Sequence, residues 1–192
     1  MMQDEVVIIT GTSRGLGGEL ARALELRSAK VIQVPLEEDL DALVGEVVQR
    51  YGKVDVLVNA ASLECSGRKT PLALLPLKEF EKMINVNLTV PFRLTQRLIP
   101  YLQPGARIVN FTSEAAMEQR VGDGGVGATT LALEHLTRTF ALENPDYGFY
   151  LVDPQEADDH VAARALIDML AQRTLGYQFR ELTAPQQAVL SA

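Results

Sequence analysis

Short runs of β-branched residues alternate along the chain with longer segments whose apolar residues recur at helical spacing. The first run, Val6–Thr10, precedes a helical segment over 16–26, and a second run over 30–34 precedes a helical segment over 40–51. In the latter segment the apolar positions recur every three or four residues, which is the period of a helix with one buried face. A third strand is predicted over 54–58. The first third of the chain therefore has the pattern strand, helix, strand, helix, strand.

The same alternation continues through the rest of the chain. Pro91 has no amide hydrogen, and we expect the long helix that contains it to kink or break there. Strict alternation predicts an α/β fold, a Rossmann-like doubly wound parallel sheet of about six strands with helices on both faces. We predict a single domain over residues 1–192. The remaining predicted elements are a long helix from Pro76 to about residue 102, a strand over 107–111, a glycine-rich loop, a helix over 128–142, a strand over 149–152, a helix over 158–170 and a strand over 176–182.

Composition and charge exclude several classes of function. The chain has 192 residues, of which 47% are hydrophobic and 22% charged, as in an ordinary folded protein. Its net charge of −7 argues against nucleic-acid binding, which needs a basic face, and against an anionic membrane surface. No apolar run has the length of a membrane span, and we expect no leader peptide because the first strand begins so early. We expect no metal site, and the single cysteine, Cys65, fits a cytoplasmic location.

A glycine-rich turn follows the first strand directly and opens the first helix. It reads Thr-Gly-Thr-Ser-Arg-Gly-Leu-Gly over residues 10–17, which we call the glycine loop. A glycine at the end of a strand permits a tight turn, and later glycines let backbone amides and the helix N-terminus approach a pyrophosphate. The alternative interpretation is a plain strand-to-helix turn without a ligand.

The spacing of these residues resembles that of a known family. Thr-Gly-x-x-x-Gly-x-Gly is similar to the cofactor loop of the short-chain dehydrogenases/reductases. Four later segments match further landmarks of that family: 55–61 at a strand end, 85–88 in the long helix, 107–113 at another strand end, and 133–141 in the helix that follows. The resemblance covers nearly the whole chain and implies a Rossmann-like fold with NAD or NADP as cofactor.

The resemblance also implies roles for individual residues. Ser113 matches the family's substrate-orienting serine, and Asn87 matches the asparagine of its proton relay. Arg14 stands where members that prefer NADP often carry a basic residue, which favours NADP(H) slightly over NAD(H); a solvated loop arginine is the alternative. The implied cofactor-binding residues are Gly11, Ser13, Arg14, Gly15, Leu16, Gly17, Asn59, Ala60 and Ala61.

The catalytic pair of the family has no counterpart in this sequence. Family members carry Tyr-x-x-x-Lys near the start of the helix that follows the glycine-rich loop, and the chemistry needs a phenol made acidic by a nearby cation. Alignment places Val126 at the tyrosine and Thr130 at the lysine. No other register restores the pair, because no tyrosine lies between residues 101 and 147 and no lysine follows residue 82. Five residues are candidate substitutes for the missing proton donor: His135, His160, Asp123, Glu118 and Cys65. For each of them we favour an ordinary structural or solvated role.

Two shortenings accompany this loss. After the second strand, residues 34–36 stand where the family has a charged residue for the adenosine ribose. Glu37 and Glu38 follow, and we favour a role for them in the first turn of the next helix. One helix–strand unit at the sheet edge, which helps to wall the adenine pocket in the family, is missing. Residues 153–155 lead almost directly into the next helix, where the family has a lid over the substrate.

Three functions remain open at this point. The first is a non-catalytic nucleotide-binding or structural subunit, with weak or absent cofactor binding, that forms a dimer or tetramer through the apolar faces of helices 80–102 and 128–142. The second is an NAD(P)-dependent oxidoreductase acting on a carbonyl or alcohol substrate, with an atypical proton donor such as Asp123 or a bound water. The third is a domain without any ligand.

Overall fold

The computed structural model describes residues 2–35, 39–62, 69–112, 120–154 and 158–181, and a parallel β-sheet runs through its centre. Within these residues the sheet has six strands in the order β2-β1-β3-β4-β5-β6, and every neighbouring pair is parallel. The strands are β1 (Val6–Thr10), β2 (Lys30–Val34), β3 (Val54–Asn59), β4 (Leu102–Phe111), β5 (Gly148–Asp153) and β6 (Gly176–Glu181).

Helices cover both faces of this sheet. α1 and α6 pack together over one face, and α2, α4 and α5 contribute to the apolar core on the other. The predicted Rossmann-like fold is therefore confirmed. The helices are α1 (Gly15–Glu25), α2 (Leu40–Tyr51), α3 (Leu77–Ile84), α4 (Val90–Leu98), α5 (Gly124–Glu143) and α6 (Asp159–Ala171).

Strand β1 shows how the sheet divides the core. All five of its residues are buried. Val7 and Ile9 point into the core beneath α1 and α6, whereas Val6 and Ile8 point into the core beneath α2 and α4. Continuous β-branched sequence, with no polar alternation, is what a parallel strand covered on both faces requires.

The order of the strands agrees with the missing edge unit. A doubly wound sheet of the Rossmann type has a further strand outside β2. Here β2 is the edge strand, and the chain passes from it into α2 and then to β3, on the far side of β1. Glu37 and Glu38, for which we favoured a role in the first turn of α2, lie outside the described residues.

The long helix predicted from Pro76 is divided, but not at Pro91 itself. α3 ends at Ile84, a π-helical turn occupies Asn85–Thr89, and α4 then runs through Pro91 without a break. The Val90 amide donates to the Asn85 carbonyl five residues back. A proline has no amide to donate and its ring excludes the carbonyl four residues before it, so the irregularity falls in the preceding turn.

The glycine-rich stretch before α5 is mostly helix rather than loop, which corrects the prediction that α5 begins near residue 128. A Cβ on Gly124 would lie 2.8 Å from the Leu72 side chain, and one on Gly125 would lie 3.0 Å from Cε of Met83. These two glycines therefore let the first turn of α5 pack closely against neighbouring segments.

A charged cluster lies beneath the amino end of β1. The side chains of Glu5 and Arg107 are 6% and 1% exposed and form an ion pair, and Nη2 of the half-exposed Arg173 lies 2.6 Å from Oε1 of Glu5. Close by, Oδ2 of Asp55 accepts the Val6 amide at 2.8 Å. These contacts tie the first strand to the middle of the sheet.

In the part of the chain that the structure describes, no helix combines the length and the apolar character needed to cross a bilayer.

Candidate functional site

The fold creates a crevice where the chain changes direction across the sheet. β1 pairs with β2 on one side and with β3 on the other, so the connections from β1 and to β3 leave the sheet on opposite sides. Ligands of open α/β sheets bind outside the carboxyl ends of the strands at such a point. The residues that end these two strands here are Thr10 and Asn59.

The glycine loop is held against the end of β3. Gly11 has φ +70°, and a Cβ on it would lie 2.5 Å from the Ala61 nitrogen. The Ala61 amide donates to Oγ1 of Thr10 at 3.1 Å. Only glycine fits the space and the left-handed backbone at residue 11. The structure thus brings together the glycine loop and residues 60–61.

The loop ends at a helix N-terminus that has no capping side chain. Arg14, the residue before α1, has extended backbone and makes no side-chain cap, and the first turn of α1 contains no acidic residue. Ser13, Arg14 and Gly15 are exposed. The first amides of a helix have no partners within the helix, and together with the helix dipole they attract an anion.

Gly17 lets α1 approach the loop closely. A Cβ on Gly17 would lie 2.4 Å from the Gly11 carbonyl oxygen and 3.3 Å from Cβ of Ala60. Gly17 itself is buried, whereas Leu16 is half-buried and packs against the core. Gly17 therefore serves helix–strand packing, which is one of the three roles of glycines in dinucleotide-binding loops.

A chain of buried amides leads away from the crevice, and no local sequence pattern indicates it. Nδ2 of Asn59 donates to Oδ1 of Asn110 at 2.8 Å, and Nδ2 of Asn110 donates to Oγ1 of Thr137 at 2.8 Å. The Thr137 hydroxyl then donates to the Leu133 carbonyl at 2.7 Å. Among the described residues, Oδ1 of Asn59 is buried without a hydrogen-bond partner.

The crevice therefore fits a dinucleotide in part. The uncapped N-terminus of α1 offers amides that such a ligand can satisfy. The fit is incomplete on the outer side, because β2 is the sheet edge and no further strand lies beyond it in the described part of the chain.

Val126 and Thr130 lie one turn apart on α5, and both are half-buried. Between them, Thr129 is buried, and its hydroxyl oxygen lies 3.3 Å from Nδ2 of Asn87, which donates to it. This contact fixes α5 against the π-helical turn. Asn87 therefore lies beside α5, the helix that carries Val126 and Thr130. Ser113 lies outside the described residues.

An ion pair stands beside the first turn of α5. Nζ of Lys69 lies 2.8 Å from Oδ2 of Asp123. The two backbones touch as well, since a Cβ on Gly122 would lie 2.4 Å from Cβ of Lys69. The prediction that Asp123 is a solvated loop residue is thus corrected: it is half-buried and paired. Sequence could not reveal the pair, because its members are 54 residues apart.

Of the other candidate groups, the two histidines are exposed to solvent. His135 is exposed on α5, and the side chain of His160 is 79% exposed, with Nδ1 4.0 Å from Oε2 of Glu19. Glu118 and Cys65 lie outside the described residues.

Comparison with known proteins agrees with this geometry. The sequence model described as short chain dehydrogenase matches residues 28–152. The chain belongs to the short-chain dehydrogenase family.

Three bacterial proteins show how similar this chain is to known members of the family. A Mycobacterium tuberculosis reductase of (5R,7aS)-5-hydroxy-7a-methyl-1-oxo-2,3,5,6,7,7a-hexahydro-1H-indene-carboxyl-CoA is 31% identical, over 87% of this chain and 68% of its own. The uncharacterized oxidoreductase YxjF of Bacillus subtilis is 26% identical, over 92% of this chain and 80% of its own. A Burkholderia cenocepacia short chain dehydrogenase, solved in complex with NADP, superposes with a TM-score of 0.83 at 20% identity, over 95% of this chain and 98% of that one. This last likeness concerns the fold.

Proposed function

We propose that this short-chain dehydrogenase has lost the Tyr-x-x-x-Lys pair and acts as a non-catalytic nucleotide-binding or structural subunit in the cytoplasm. The observation that carries the proposal is the pair of side chains on α5. Val126 and Thr130 share its half-buried face, one turn apart, where a tyrosine and a lysine spaced in this way would lie. An isopropyl group cannot transfer a proton, and a hydroxyl cannot supply the positive charge that acidifies a phenol.

The contact between Asn87 and Thr129 supports this register. In the aligned sequence these are the relay asparagine and the residue between the two lost positions. Their hydrogen bond at 3.3 Å joins the two segments that the alignment brings together. Shifting α5 by one residue would turn Thr129 out of the core, where it is now buried.

The glycine loop supports weak binding of NADP or NAD. When bound, the nicotinamide would supply or accept a hydride; the residues that would hold the cofactor are those of the loop, with Asn59, Ala60 and Ala61. The solved relative from Burkholderia holds NADP, and the exposed Arg14 can pair with a 2′-phosphate. Weak affinity is expected because the sheet ends at β2, so the outer wall of an adenine pocket is reduced.

A second function is favoured by the ion pair of Lys69 and Asp123. It places a cation and a carboxylate beside the first turn of α5, at the end of the helix where the family performs its proton transfer. Several relatives are named as oxidoreductases, YxjF among them. This alternative is an NAD(P)-dependent oxidoreductase acting on a carbonyl or alcohol, with Asp123 or a bound water as the proton donor.

Cofactor titration and turnover separate these functions. NADPH and NADH, titrated into the purified protein and followed by nicotinamide fluorescence, are expected to give a weak but saturable signal. Carbonyl and alcohol substrates are then expected to give no cofactor turnover, since the proton-transfer pair is missing.

Each other outcome has a distinct meaning for the proposal. No saturable signal up to millimolar cofactor would favour a domain without a ligand. Turnover that Ser113→Ala abolishes would contradict the non-catalytic function. Turnover lost in Asp123→Asn, but retained in the exposed-helix control Asp168→Asn, would establish the atypical oxidoreductase.

We also propose that the protein forms a dimer or tetramer, and that the contact surface is on α5 rather than on both helical segments. The apolar side of α4 is buried in the core, and the outer face of this helix carries Arg93, Gln96 and Arg97. On α5, by contrast, Leu131 and Leu142 are 47% and 84% exposed. The surface that supports self-association in segments 80–102 and 128–142 is therefore that of α5.

Substitution of these leucines tests the assembly. The native chain is expected to have the mass of a dimer or tetramer at micromolar concentration, and Leu131→Glu/Leu142→Glu is expected to shift it to monomer, since buried charge opposes association. Leu26→Glu, at a residue 86% exposed after α1, is the matched control and should leave the mass unchanged. Light scattering coupled to gel filtration gives the answer, and a monomeric native chain would contradict the proposal.

A further inference from the structure

The N-terminus of α6 lies beside the glycine loop. Only residues 154–158 separate β5 from α6, and α6 packs along α1. A Cβ built on Gly15 would lie 3.8 Å from Oδ2 of Asp159, the one contact within 4 Å among the described residues outside its chain neighbours and its own helix backbone. The space over the first residue of α1 therefore faces the carboxylate of Asp159.

Among the described residues, the role that the structure gives this carboxylate is that of an acidic residue in the first turn of α6. The side chain that caps α6 is Asp158, which accepts the His160 amide at 2.9 Å. Asp159 is exposed, and among the described residues no hydrogen bond or ion pair involves its side chain. It lies in the first turn of α6 and close to the first residue of α1, so two helix N-termini with partial positive charge surround it.

We propose that Asp159 determines which ligands the glycine loop accepts, by disfavouring pyrophosphate. This inference rests on the proposed nucleotide-binding function of the same site. A carboxylate next to the helix N-terminus reduces the positive potential that would otherwise attract a pyrophosphate. It also repels the pyrophosphate directly, because both are negatively charged. A nucleotide with less negative charge at this point suffers less repulsion.

The neighbouring charges do not cancel this effect. Glu19 on α1 is also acidic, and the His160 side chain that faces it at 4.0 Å is mostly exposed. Arg14 is exposed in the loop, and among the described residues it forms no ion pair with Asp159. The Asp159 carboxylate thus stands next to the loop without a salt-bridge partner in the described part of the chain.

Asparagine at residue 159 tests the proposal with the whole chain. Asp159→Asn keeps the size of the side chain and removes its charge. We expect NADPH and NADH, titrated by nicotinamide fluorescence, to bind about fivefold more tightly to this variant than to the native chain. An effect of this size is expected when one charge that repels the ligand is removed from a partly solvated site. The gain should shrink in 0.5 M salt, because exposed charges are then screened over about 4 Å.

Two controls separate local from general effects. Asp168→Asn removes the same charge from the same helix, nine residues further along, and should leave the affinity for both dinucleotides unchanged. Adenosine, which has no phosphate, should bind the native chain and Asp159→Asn equally. Thermal unfolding of each variant establishes that the fold is intact.

The possible failures are distinguishable. If the native chain binds a dinucleotide and Asp159→Asn binds it no more tightly, or less tightly, the assignment to Asp159 is overturned while the proposed function stands. An equal gain in Asp168→Asn would also overturn it, because net charge would then be the cause. If NADPH, NADH and inorganic pyrophosphate bind none of the three proteins, the proposed function and this inference fail together.

Discussion

Replacing Glu5 with glutamine is expected to lower the free energy of unfolding by about 3–5 kcal/mol, as for other buried ion pairs that lose one partner. Arg107 is 1% exposed, and its Nε already lacks a hydrogen-bond partner among the described residues. Without the carboxylate of Glu5, its guanidinium would remain charged in the core. Chemical denaturation followed by circular dichroism measures the change.

Two comparison variants show whether the buried charge is the cause. Glu79→Gln removes an exposed carboxylate whose nearest cation, Lys82, is 3.9 Å away, and it should cost less than about 1 kcal/mol. Glu5→Leu/Arg107→Met removes both buried charges and should recover most of the loss. A Glu5→Gln protein as stable as the Glu79→Gln protein would contradict the expectation.

Replacing Gly17 with alanine is expected to cost about 1–3 kcal/mol of stability and to weaken dinucleotide binding at least tenfold, because the added methyl group overpacks the glycine loop. Its Cβ would lie 2.4 Å from the carbonyl oxygen of Gly11, a backbone atom that cannot rotate away. Relief requires α1 to move from β1, which displaces the helix N-terminus from the crevice.

A glycine-to-alanine substitution in α2 should instead increase the stability of the protein. Apart from its chain neighbours and the backbone of α2 itself, a Cβ on Gly45 would meet no atom of the described residues within 4 Å. Since alanine favours a helix over glycine by about 1 kcal/mol, Gly45→Ala should raise the stability and leave binding unchanged. Thermal unfolding and NADPH titration measure both effects. Equal gains in stability for the two variants would show that Gly17 is not closely packed.

The elements that the sequence predicted best are those with local signals at their ends. α2 has the predicted limits because Asp39 accepts the amides of Asp41 and Ala42 at its start. Gly52, with φ +69°, ends it in the left-handed conformation. Such signals are readable without knowledge of the tertiary structure.

The start of α5 could not be predicted in this way. Its first turn contains several glycines, which disfavour a helix when judged by local propensity. Glycine fits at residue 125 because a neighbour, Met83, lies 3.0 Å from the place where a Cβ would stand. That neighbour is 42 residues away in the sequence, and its position depends on how α3 packs.

The candidate site likewise has one part that local sequence predicts and another part that it does not. The glycine loop was predictable because its residues are consecutive and follow a strand directly. The amide chain from Asn59 to Thr137 and the position of Asp159 depend on long-range contacts that no local pattern encodes. The family assignment and the fold are confirmed, whereas the roles of Val126, Thr130 and the loop residues stay predictions.

The edge position of β2 has a consequence for the behaviour of the protein at high concentration. An edge strand presents unpaired amides and carbonyls on which another chain can add a strand. β2 limits this risk because it has only five residues, Lys30 and Gln33 are exposed along it, and Pro35 follows it at once. A short strand with a charge at one end and a proline at the other discourages sheet extension, so the loss of an outer strand need not lead to aggregation.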